Sequence, residues 1–270
     1  MECKVNESNI LISVIMPAYN AEKFIATAID SVMEQTIEEA LELLVIDDCS
    51  ADGTKKVVEE RIAYYANNPI LGRKMMFFQN PENRGVAETR NFGIRNAKGA
   101  YIAFLDADDW WDIHKLEKQL LCIRQSGAVL CATGRELMNS DGTSQGKMIP
   151  IPRELSYPKL LYTNSIPCSS VVLQTKVARE FYMCHDELHE DYIMWLQILK
   201  KYQSAVGINE PLLKSRMSQG GKSRNKLKSA KMQYGVYRYM GFGPMKSALL
   251  MVSYMFLGVM KYSGFITIQK

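Results

Sequence analysis

The first half of the chain alternates between short apolar runs and longer amphipathic segments. The apolar runs have the length and side chains of buried β-strands, and they occupy residues 11–16, 41–46, 75–79 and 101–105. The amphipathic segments repeat apolar residues at helical spacing, and they occupy residues 21–35, 52–65 and 86–97. Strands that alternate with helices in this way predict an α/β fold, with a mainly parallel sheet flanked by helices on both faces.

The second half of the chain is less regular. Strand-like runs at 129–132 and 169–173 enclose a region rich in proline, and a helix is predicted at 190–201. The prolines are Pro150, Pro152, Pro158 and Pro167. A loop-rich region of this kind suits a binding site for a substrate that accepts a transferred group, because loops on a rigid scaffold often carry binding residues.

Three carboxylates follow the last strand of the first half, in the sequence Asp106-Ala107-Asp108-Asp109. An unpaired charge in a core is very costly, so these acids must lie where the strand leaves the sheet. At close range they repel one another unless a cation joins them, and oxygen-only ligands suit Mg²⁺ or Mn²⁺. The natural substrate of such a site carries phosphate.

Two more polar motifs follow predicted strands, namely Pro17-Ala18-Tyr19-Asn20 and Asp47-Asp48. Ligands of a parallel sheet bind at the carboxyl ends of its strands. The topology therefore brings three motifs that are distant in sequence to one rim, which is better evidence of a site than a single acidic strand end.

Length and charge add a distinct C-terminal part. A chain of 270 residues with 47% apolar and 23% charged residues suits one large domain, or one domain with an appendage. The net charge of +4 is unevenly distributed, since no Asp or Glu follows Glu210 whereas eleven Lys and Arg do. A basic end on an acidic body predicts an anionic partner for that end.

The cysteines and the N-terminus exclude some classes of protein. None of the six cysteines is in CxxC spacing, which argues against a zinc ribbon or a thiol redox motif. The first residues lack the pattern of a signal peptide. We therefore expect a cytoplasmic protein with reduced thiols.

The motifs resemble those of the family-2 glycosyltransferases. The resembling segments are Ile12–Asn20, Val45–Ser50, Asn83-Arg84-Gly85, Arg90-Asn91, Ala97-Lys98-Gly99 and the Asp106–Asp109 block. They agree in order and spacing over about residues 10 to 130, and Glu190-Asp191 followed by Trp195 extends the match. The C-terminal part is similar to that of bacterial enzymes that build O-antigen (lipopolysaccharide) or capsule polysaccharide.

The resemblance implies a GT-A fold, a nucleotide-diphosphate sugar donor and inversion at the anomeric carbon. By position, Pro17, Ala18 and Tyr19 line the nucleotide pocket, and Asp48 accepts a hydrogen bond from the base, commonly uracil. Arg90 lies near the nucleotide. Asp106 contacts the ribose or the metal shell, and Asp108 binds the metal, Mn²⁺ or Mg²⁺.

The resemblance also implies that Asp191 is the catalytic base. The side chains expected around these groups are Asp109, His189, Glu190 and Trp195. Many relatives carry a histidine near positions 216–223 that helps to bind the metal or diphosphate, and this chain has none there. We therefore expect water, or oxygen atoms of the sugar-nucleotide donor, to supply the third ligand of the metal.

Structural interpretations compete with these roles. Asp106 and Asp108 could belong to a helix N-terminus, and Asp48 could form an Asx turn. Asp191 could be an ordinary acid in the first turn of a helix, or Glu190 could be the base in its place. Arg90 could pair with an acid on its own helix, such as Glu88.

The segment from His185 to His189 separates two histidines by four residues, a spacing that binds zinc on a helix. The protease pattern requires Glu directly after the first histidine, and Asp186 stands there instead. We therefore expect His189 to lie beside the acidic motif rather than to bind zinc.

The C-terminal part contains an uncharged run at 247–260 between Lys246 and Lys261. This run is too short to span a membrane, which takes about 20 apolar residues. Together with the basic residues it predicts an interfacial helix on anionic lipid, and the alternative is a helix packed on the body. Without a recognised binding motif, we expect no nucleic acid partner.

The sequence thus predicts a glycosyltransferase domain at 1–222 and a basic amphipathic helical tail at 223–270. We expect an inverting, metal-dependent enzyme that transfers a hexose, from a donor that is commonly a UDP-sugar, to a glycan or lipid-linked oligosaccharide. It would act peripherally on the cytoplasmic face of the bacterial inner membrane. The rival functions are a sugar-phosphate nucleotidyltransferase and a non-catalytic membrane scaffold on the same fold.

Overall fold

A computed structural model describes residues 10–217, 226–263 and 266–267. The predictions for the N-terminal residues 1–9 and for residues 223–225, at the start of the predicted basic tail, lie outside this range. The strands are β1 Ile10–Ala18, β2 Ala40–Asp47, β3 Arg73–Gln79, β4 Tyr101–Phe104, β5 Trp110–Trp111, β6 Leu130–Met138, β7 Ser144–Ile149, β8 Glu154–Leu155, β9 Val172–Gln174, β10 Ala205–Arg216 and β11 Ile266–Thr267. The helices are α1 Ile25–Met33, α2 Thr54–Asn67, α3 Val86–Asn96, α4 Lys115–Ser126, α5 Tyr157–Tyr162, α6 Thr175–Ala178, α7 Glu190–Tyr202, α8 Lys226–Tyr239 and α9 Pro244–Ser263.

The strands form one mixed sheet in the order β11-β7-β6-β9-β4-β1-β2-β3. Strands β3, β2, β1 and β4 are parallel, and β9 lies antiparallel between β4 and β6. Strand β10 runs parallel to β6 and also pairs with the short strands β5 and β8. The predicted α/β fold with a mostly parallel sheet flanked by helices is therefore confirmed.

Strand β1 shows how the sequence builds the two cores. Its alternate residues Ile12 and Val14 pack into the cluster under α1, whereas Ile15 packs into the cluster on the opposite face. This period of two follows from the pleat of a strand. Both faces of the parallel sheet are consequently covered, as its near-continuous apolar runs require.

The sequence predicted that the first strand ends before Pro17. In the structure Pro17 lies inside β1. The backbone of Ile15 faces β4, since Leu105 N donates to Ile15 O at 3.1 Å. By alternation Pro17 faces the same side, and the β1–β4 pairing ends at Ile15 and Phe104. The N–H that proline lacks therefore costs no ladder hydrogen bond.

The Ala97-Lys98-Gly99 motif closes the other end of the sheet. Gly99 N donates to Ser13 Oγ at 2.8 Å, and Ser13 Oγ donates to the buried carboxylate of Glu42 at 2.5 Å. A Cβ on Gly99 would lie 2.6 Å from Ser13 N. The glycine is required because the backbone approaches β1 too closely for any side chain.

The second half departs from the sequence-based prediction. Residues 169–173, predicted as one strand, form a 3₁₀ turn at Cys168–Ser170 followed by β9. The sequence pattern also missed α4 and the strands β5, β7, β8 and β10. Antiparallel β9, inserted between β4 and β6, is the element that joins the two halves of the sheet.

Helices α8 and α9 pack on the body through one face each. Tyr237 of α8 is fully buried, and its hydroxyl donates to Leu161 O at 2.6 Å. Tyr254 of α9 lies against Tyr192 of α7, with 6.2 Å between ring centroids. Within the described part of the chain, no helix is both long enough and apolar enough to cross a membrane.

Candidate active site

A cavity of about 1060 Å³ opens at the carboxyl ends of β1, β2 and β4. The predicted residues that line it are Pro17, Ala18, Tyr19, Asp48, Arg90, Asp106, Asp108, Asp109, His189, Glu190 and Asp191. Trp195 is not among the lining residues. It is fully buried in the core, 6.2 Å from the ring of Phe104, and so supports the strand that carries the acidic loop.

The loops after β1 and β2 hold each other at the rim of the cavity. Asn20 has a left-handed backbone with φ of 50°, and its Oδ1 accepts a hydrogen bond from Ala51 N at 2.9 Å. In return Asn20 N donates to Ser50 Oγ at 2.9 Å. These bonds fix the turn that presents the exposed ring of Tyr19 to the cavity.

Asp48 is the organising residue of the neighbouring loop. Its Oδ1 accepts hydrogen bonds from Asn80 Nδ2 at 2.8 Å and Arg84 N at 2.9 Å, and its Oδ2 accepts one from Gly85 N at 2.9 Å. The buried carboxylate thus satisfies two backbone donors just before α3, an arrangement that is strong because the acceptor is charged.

The Asx-turn interpretation of Asp48 is wrong, because its carboxylate bonds to Asn80, Arg84 and Gly85, and the preceding residue makes the local bonds. Asp47 Oδ1 accepts hydrogen bonds from Ser50 N at 3.2 Å and from Ser50 Oγ. The sequence analysis identified Asp48 as a site residue but did not predict that its carboxylate holds the loop at Arg84 and Gly85. The signal was present in Asn83-Arg84-Gly85, whose backbone bends to reach the carboxylate.

The acidic loop leaves the sheet directly after β4. A turn bonded from Asp109 N to Asp106 O at 3.0 Å carries it into β5. The helix that follows begins only at Lys115, so the helix N-terminus interpretation of Asp106 and Asp108 is wrong. The acids lie where the apolar strand ends, as the cost of burying charge requires.

Burial and mutual repulsion shift the pKa values in this loop. Burial, reinforced by Asp106, raises the pKa of Asp108 to about 6. Burial, together with Asp108 and Asp106, raises the pKa of Asp109 to about 8. The loop therefore lacks enough positive charge of its own, which is the situation that a bound cation relieves.

The end of β10 supports the acidic loop from outside. Arg216 N donates to Asp109 Oδ1 at 2.9 Å, and Arg216 Nε donates to the Asp108 backbone O at 3.1 Å. The guanidinium carbon lies 4.4 Å from the ring centroid of Phe24 and 4.8 Å from that of Trp110. The sequence analysis included Arg216 only among the basic residues near the C-terminus. Its role beside the acidic loop was missed because Asp108 and Asp109 are distant from it in sequence.

Arg90 joins the acidic loop to α7. Its Nη2 lies 2.6 Å from Asp106 Oδ1, and its Nη1 lies 2.9 Å from Glu190 Oε1. Glu88, the partner that the alternative interpretation gave to Arg90, pairs with Arg95 instead. Arg90 is buried, so it is a charged connection between two parts of the site rather than a surface pair.

The two acids at the start of α7 differ in environment. Glu190 is buried and paired with Arg90, whereas Asp191 is half-buried and accepts a hydrogen bond from Tyr192 N at 2.7 Å. Burial, reinforced by Glu190 and opposed by Arg90, raises the pKa of Asp191 to about 7. Asp191 is in the first turn of the helix, as one interpretation held, and it also lines the cavity.

The segment before α7 is fastened to α3. Asn91 and Met183 exchange two hydrogen bonds of 2.7 and 2.9 Å, and Asp186 Oδ1 accepts one from Ala87 N at 2.9 Å. His185 lies against the ring of Tyr239, and α7 begins only at Glu190. The two histidines are therefore not on a helix, which removes the basis of the zinc spacing.

The residues available for a metal form a partial ligand set. Within residues 10–217, 226–263 and 266–267, no group of three or more His, Cys, Asp or Glu side chains is arranged to hold a metal ion. Asp106 and Asp108 offer carboxylate oxygens that suit a hard cation. Such a pair fits an ion whose other ligands come from a bound phosphate or water.

A family model described as glycosyl transferase family 2 matches residues 13–178. The chain belongs to this family. It is a glycosyltransferase, which argues against the nucleotidyltransferase and the non-catalytic scaffold considered above.

Two curated relatives align with most of this chain. WfgD of Escherichia coli, a UDP-Glc:α-D-GlcNAc-diphosphoundecaprenol β-1,3-glucosyltransferase, is 34% identical over 94% of this chain and 95% of the relative. TuaG of Bacillus subtilis (strain 168), provisionally named a teichuronic acid biosynthesis glycosyltransferase, is 36% identical over 84% of this chain and 87% of the relative. The likeness therefore includes the C-terminal part.

Two solved structures share the fold at lower identity. Residues 1–349 of Staphylococcus aureus TarS, in complex with UDP-GlcNAc, align with a TM-score of 0.70 and 19% identity over 91% of this chain and 72% of that one. The mannosyltransferase PcManGT from Pyrobaculum calidifontis, in complex with GDP-Man and Mn²⁺, aligns with a TM-score of 0.66 and 17% identity over 90% and 68%. The expected GT-A fold is confirmed.

Proposed function

We propose that this glycosyltransferase transfers a hexose, with inversion, from a UDP-sugar to a lipid-linked glycan in the synthesis of a bacterial surface polysaccharide such as O-antigen or capsule. The observation that carries the proposal is the convergence of Asp48, Arg90, Asp108 and Asp191 on one cavity. The donor and acceptor named for WfgD, UDP-glucose and a diphosphoundecaprenol-linked sugar, support the same pair of substrate classes here.

The donor half of the proposed site lies between the ends of β1 and β2. Pro17, Ala18 and Tyr19 would line the nucleotide pocket, and the exposed ring of Tyr19 offers a face for a base. Asp48 Oδ2 accepts a bond from Gly85 N, and a carboxylate oxygen can accept from a second donor, such as the N–H of uracil. Arg90, paired with Asp106, would lie near the ribose and phosphates.

Asp108 and Asp106 would hold a divalent cation, Mn²⁺ or Mg²⁺, together with the diphosphate of the donor. The raised pKa of Asp108 supports this role, because a cation favours the ionised carboxyl. A bound divalent ion neutralises the charge that develops on the leaving diphosphate. Asp109, whose Oδ1 is engaged by Arg216 N, would keep the loop in position.

Asp191 is the proposed base, and Glu190 is not, because Glu190 is neutralised by Arg90. As the acceptor oxygen attacks the anomeric carbon, its proton passes to Asp191 and the bond to the diphosphate oxygen breaks. A base with a pKa of about 7 is well matched to this task, which general base catalysis accelerates by ~10²–10⁴-fold. One displacement with one base inverts the anomeric centre.

We place the enzyme peripherally on the cytoplasmic face of the inner membrane, and the outer face of α9 supports the contact with a membrane surface. Its exposed apolar side chains follow helical spacing, and they are Met245, Leu249, Val252, Met255 and Phe256. Helices α8 and α9 also carry exposed basic residues, namely Lys228, Lys231, Arg238 and Lys246. Apolar and cationic groups together fit an anionic bilayer surface.

Donor binding tests the enzymatic proposal. Titration calorimetry with Mn²⁺ and a panel of sugar nucleotides should give binding of a UDP-sugar, since a ligand binds only the fold that forms its site. Asp108→Asn should lose the metal-dependent part of that binding, whereas the surface control Glu60→Gln should retain it. A protein that binds no sugar nucleotide with either metal contradicts the proposal.

Vesicle sedimentation tests the membrane surface. The wild type should bind vesicles rich in phosphatidylglycerol more strongly than phosphatidylcholine vesicles. Leu249→Asp combined with Phe256→Asp should abolish most of this binding, whereas Leu121→Asp, at an exposed leucine of α4, should not. Equal sedimentation of the double variant and the wild type would exclude α9 as the contact.

A further inference from the structure

Helix α9 contributes one wall of the cavity. Tyr254 and Gly258 are four residues apart, so they share a face of the helix, and both line the cavity. The exposed stripe of α9 is on other positions of the helix. This wall therefore presents the side chain of Tyr254 and, at Gly258, a position without a side chain, in addition to the groups at the strand ends.

This wall packs against α7, the helix whose first turn carries Asp191. The ring of Tyr254 lies 6.2 Å from that of Tyr192, the residue that follows Asp191 in α7. Tyr192 is itself fixed, since its buried hydroxyl donates to Leu160 O at 2.6 Å. In a displacement the attacking hydroxyl must be at the base, opposite the leaving diphosphate, so the acceptor has to enter beside α7, the helix that Tyr254 contacts in the same cavity.

The loop after α5 adds polar groups to this side. Helix α5 packs against both α7 and α9. Thr163 and Asn164, which directly follow α5, line the same cavity. The surroundings of the acceptor thus combine an aromatic ring with hydroxyl and amide groups, which suits a sugar with an apolar C–H face and polar edges.

We infer that Tyr254, Gly258 and the Thr163–Asn164 loop form the acceptor subsite, in which the terminal sugar ring of the acceptor stacks on Tyr254. The inference rests on the proposed function, because it takes Asp191 as the base. It assigns to α9 a role in acceptor selection that is separate from any contact with lipid.

Gly258 offers a second way to probe the subsite. A Cβ at Gly258 meets no atom within 4 Å, and its backbone is not in the left-handed region. A side chain at Gly258 can therefore enter the cavity without strain, and replacing a helical glycine stabilises a helix by up to about 1 kcal/mol. Gly258→Leu should fold and should fill the space proposed for the acceptor.

The experiment measures steady-state transfer to a water-soluble acceptor, GlcNAc-α-diphosphate carrying a short alkyl chain, with glycosides of other hexoses as alternatives. Tyr254→Ala should raise the acceptor KM about tenfold or more, as expected for the loss of about 1.4 kcal/mol. Tyr254→Phe should stay within about twofold of the wild type, and Gly258→Leu should lose transfer. Tyr64→Ala, at an exposed tyrosine of α2 that does not line the cavity, is the matched control.

Donor-side readouts separate this inference from the proposed function. Hydrolysis of the sugar nucleotide without acceptor, and the donor KM, should be unchanged in Tyr254→Ala and Gly258→Leu. A normal acceptor KM in Tyr254→Ala, or a raised donor KM in its place, overturns the subsite while leaving the enzyme assignment intact. A wild type that neither binds nor hydrolyses any sugar nucleotide overturns the proposed function itself.

Discussion

Arg90 and Glu190 are a hundred residues apart in sequence and meet in a buried ion pair of 2.9 Å. The other guanidinium nitrogen of Arg90 reaches Asp106 at 2.6 Å. A single side chain of α3 therefore connects the acidic loop after β4 with the start of α7, and it fixes the distance between the proposed metal and base positions.

Removing Arg90 should destabilise the fold strongly. Arg90→Met leaves the buried carboxylate of Glu190 unpaired, which costs about 3–5 kcal/mol. Urea unfolding at neutral pH should show this loss, and Arg90→Met combined with Glu190→Gln should recover much of it. If the double variant is as unstable as the sum of the two single variants, the pair is not the source of the effect.

The acid limb of the pH–rate profile should report Asp191. A base works in its ionised form, and the pKa of Asp191 is raised to about 7 by burial and Glu190, so kcat/KM should fall as the pH drops through 7. Asp191→Asn should bind donor but show no transfer at any pH.

His189 also lines the cavity, and histidine is the type of side chain whose charge ordinarily changes near neutral pH, so a variant at this position is the necessary control. His189→Asn should keep the acid limb near pH 7. A limb that disappears in His189→Asn would belong to the histidine rather than to Asp191.

Asp48 should contribute to stability even without nucleotide. Asp48→Ala removes the acceptor of three hydrogen bonds from Asn80, Arg84 and Gly85. A buried donor left unsatisfied costs about 1–3 kcal/mol, so we expect a loss of about 3 kcal/mol in unfolding of the free protein. A variant with normal stability but weak donor binding would mean that Asp48 acts only on the nucleotide.

Lys115 should make stability depend on pH above 7. Its ammonium group is fully buried over the Trp111 ring at 3.8 Å, and burial lowers its pKa to about 7. Between pH 7 and about 10 the unfolded chain binds the proton more tightly, so stability rises with pH.

Lys115→Met removes this dependence and retains most of the side-chain volume. The variant should be more stable than the wild type by about 2–4 kcal/mol at pH 7, following about 1.4 kcal/mol per pKa unit. The difference should shrink by pH 10. Parallel urea curves at pH 7 and pH 10 that show a constant difference would contradict the assignment.

The parallel half of the fold was predictable from the sequence. Strands such as β1 and β2 are continuous apolar runs, because both faces of the sheet are buried. Helix α3 carries its own periodic pattern between clear turn residues. The convergence of Asp48 and Asp106 at one edge followed from topology alone.

In the second half, the predictions of α7 and of the start of β6 are confirmed, but most other elements were not predictable, for a physical reason. Strand β10 pairs with β5, β6 and β8. Each pairing joins residues that are distant in sequence, so no local sequence pattern predicts this strand. The contacts of Arg216 with Asp109 depend on that pairing. The same applies to Tyr254, which reaches the cavity only because α9 packs on α5 and α7.

The packing of α9 has a consequence for engineering. Leu161, Tyr192 and Tyr237 join the C-terminal helices to the body through buried hydroxyls and ring contacts. Exchange of acceptor preference between relatives therefore calls for a chimera that transplants α5, the start of α7 and both terminal helices as a single cassette.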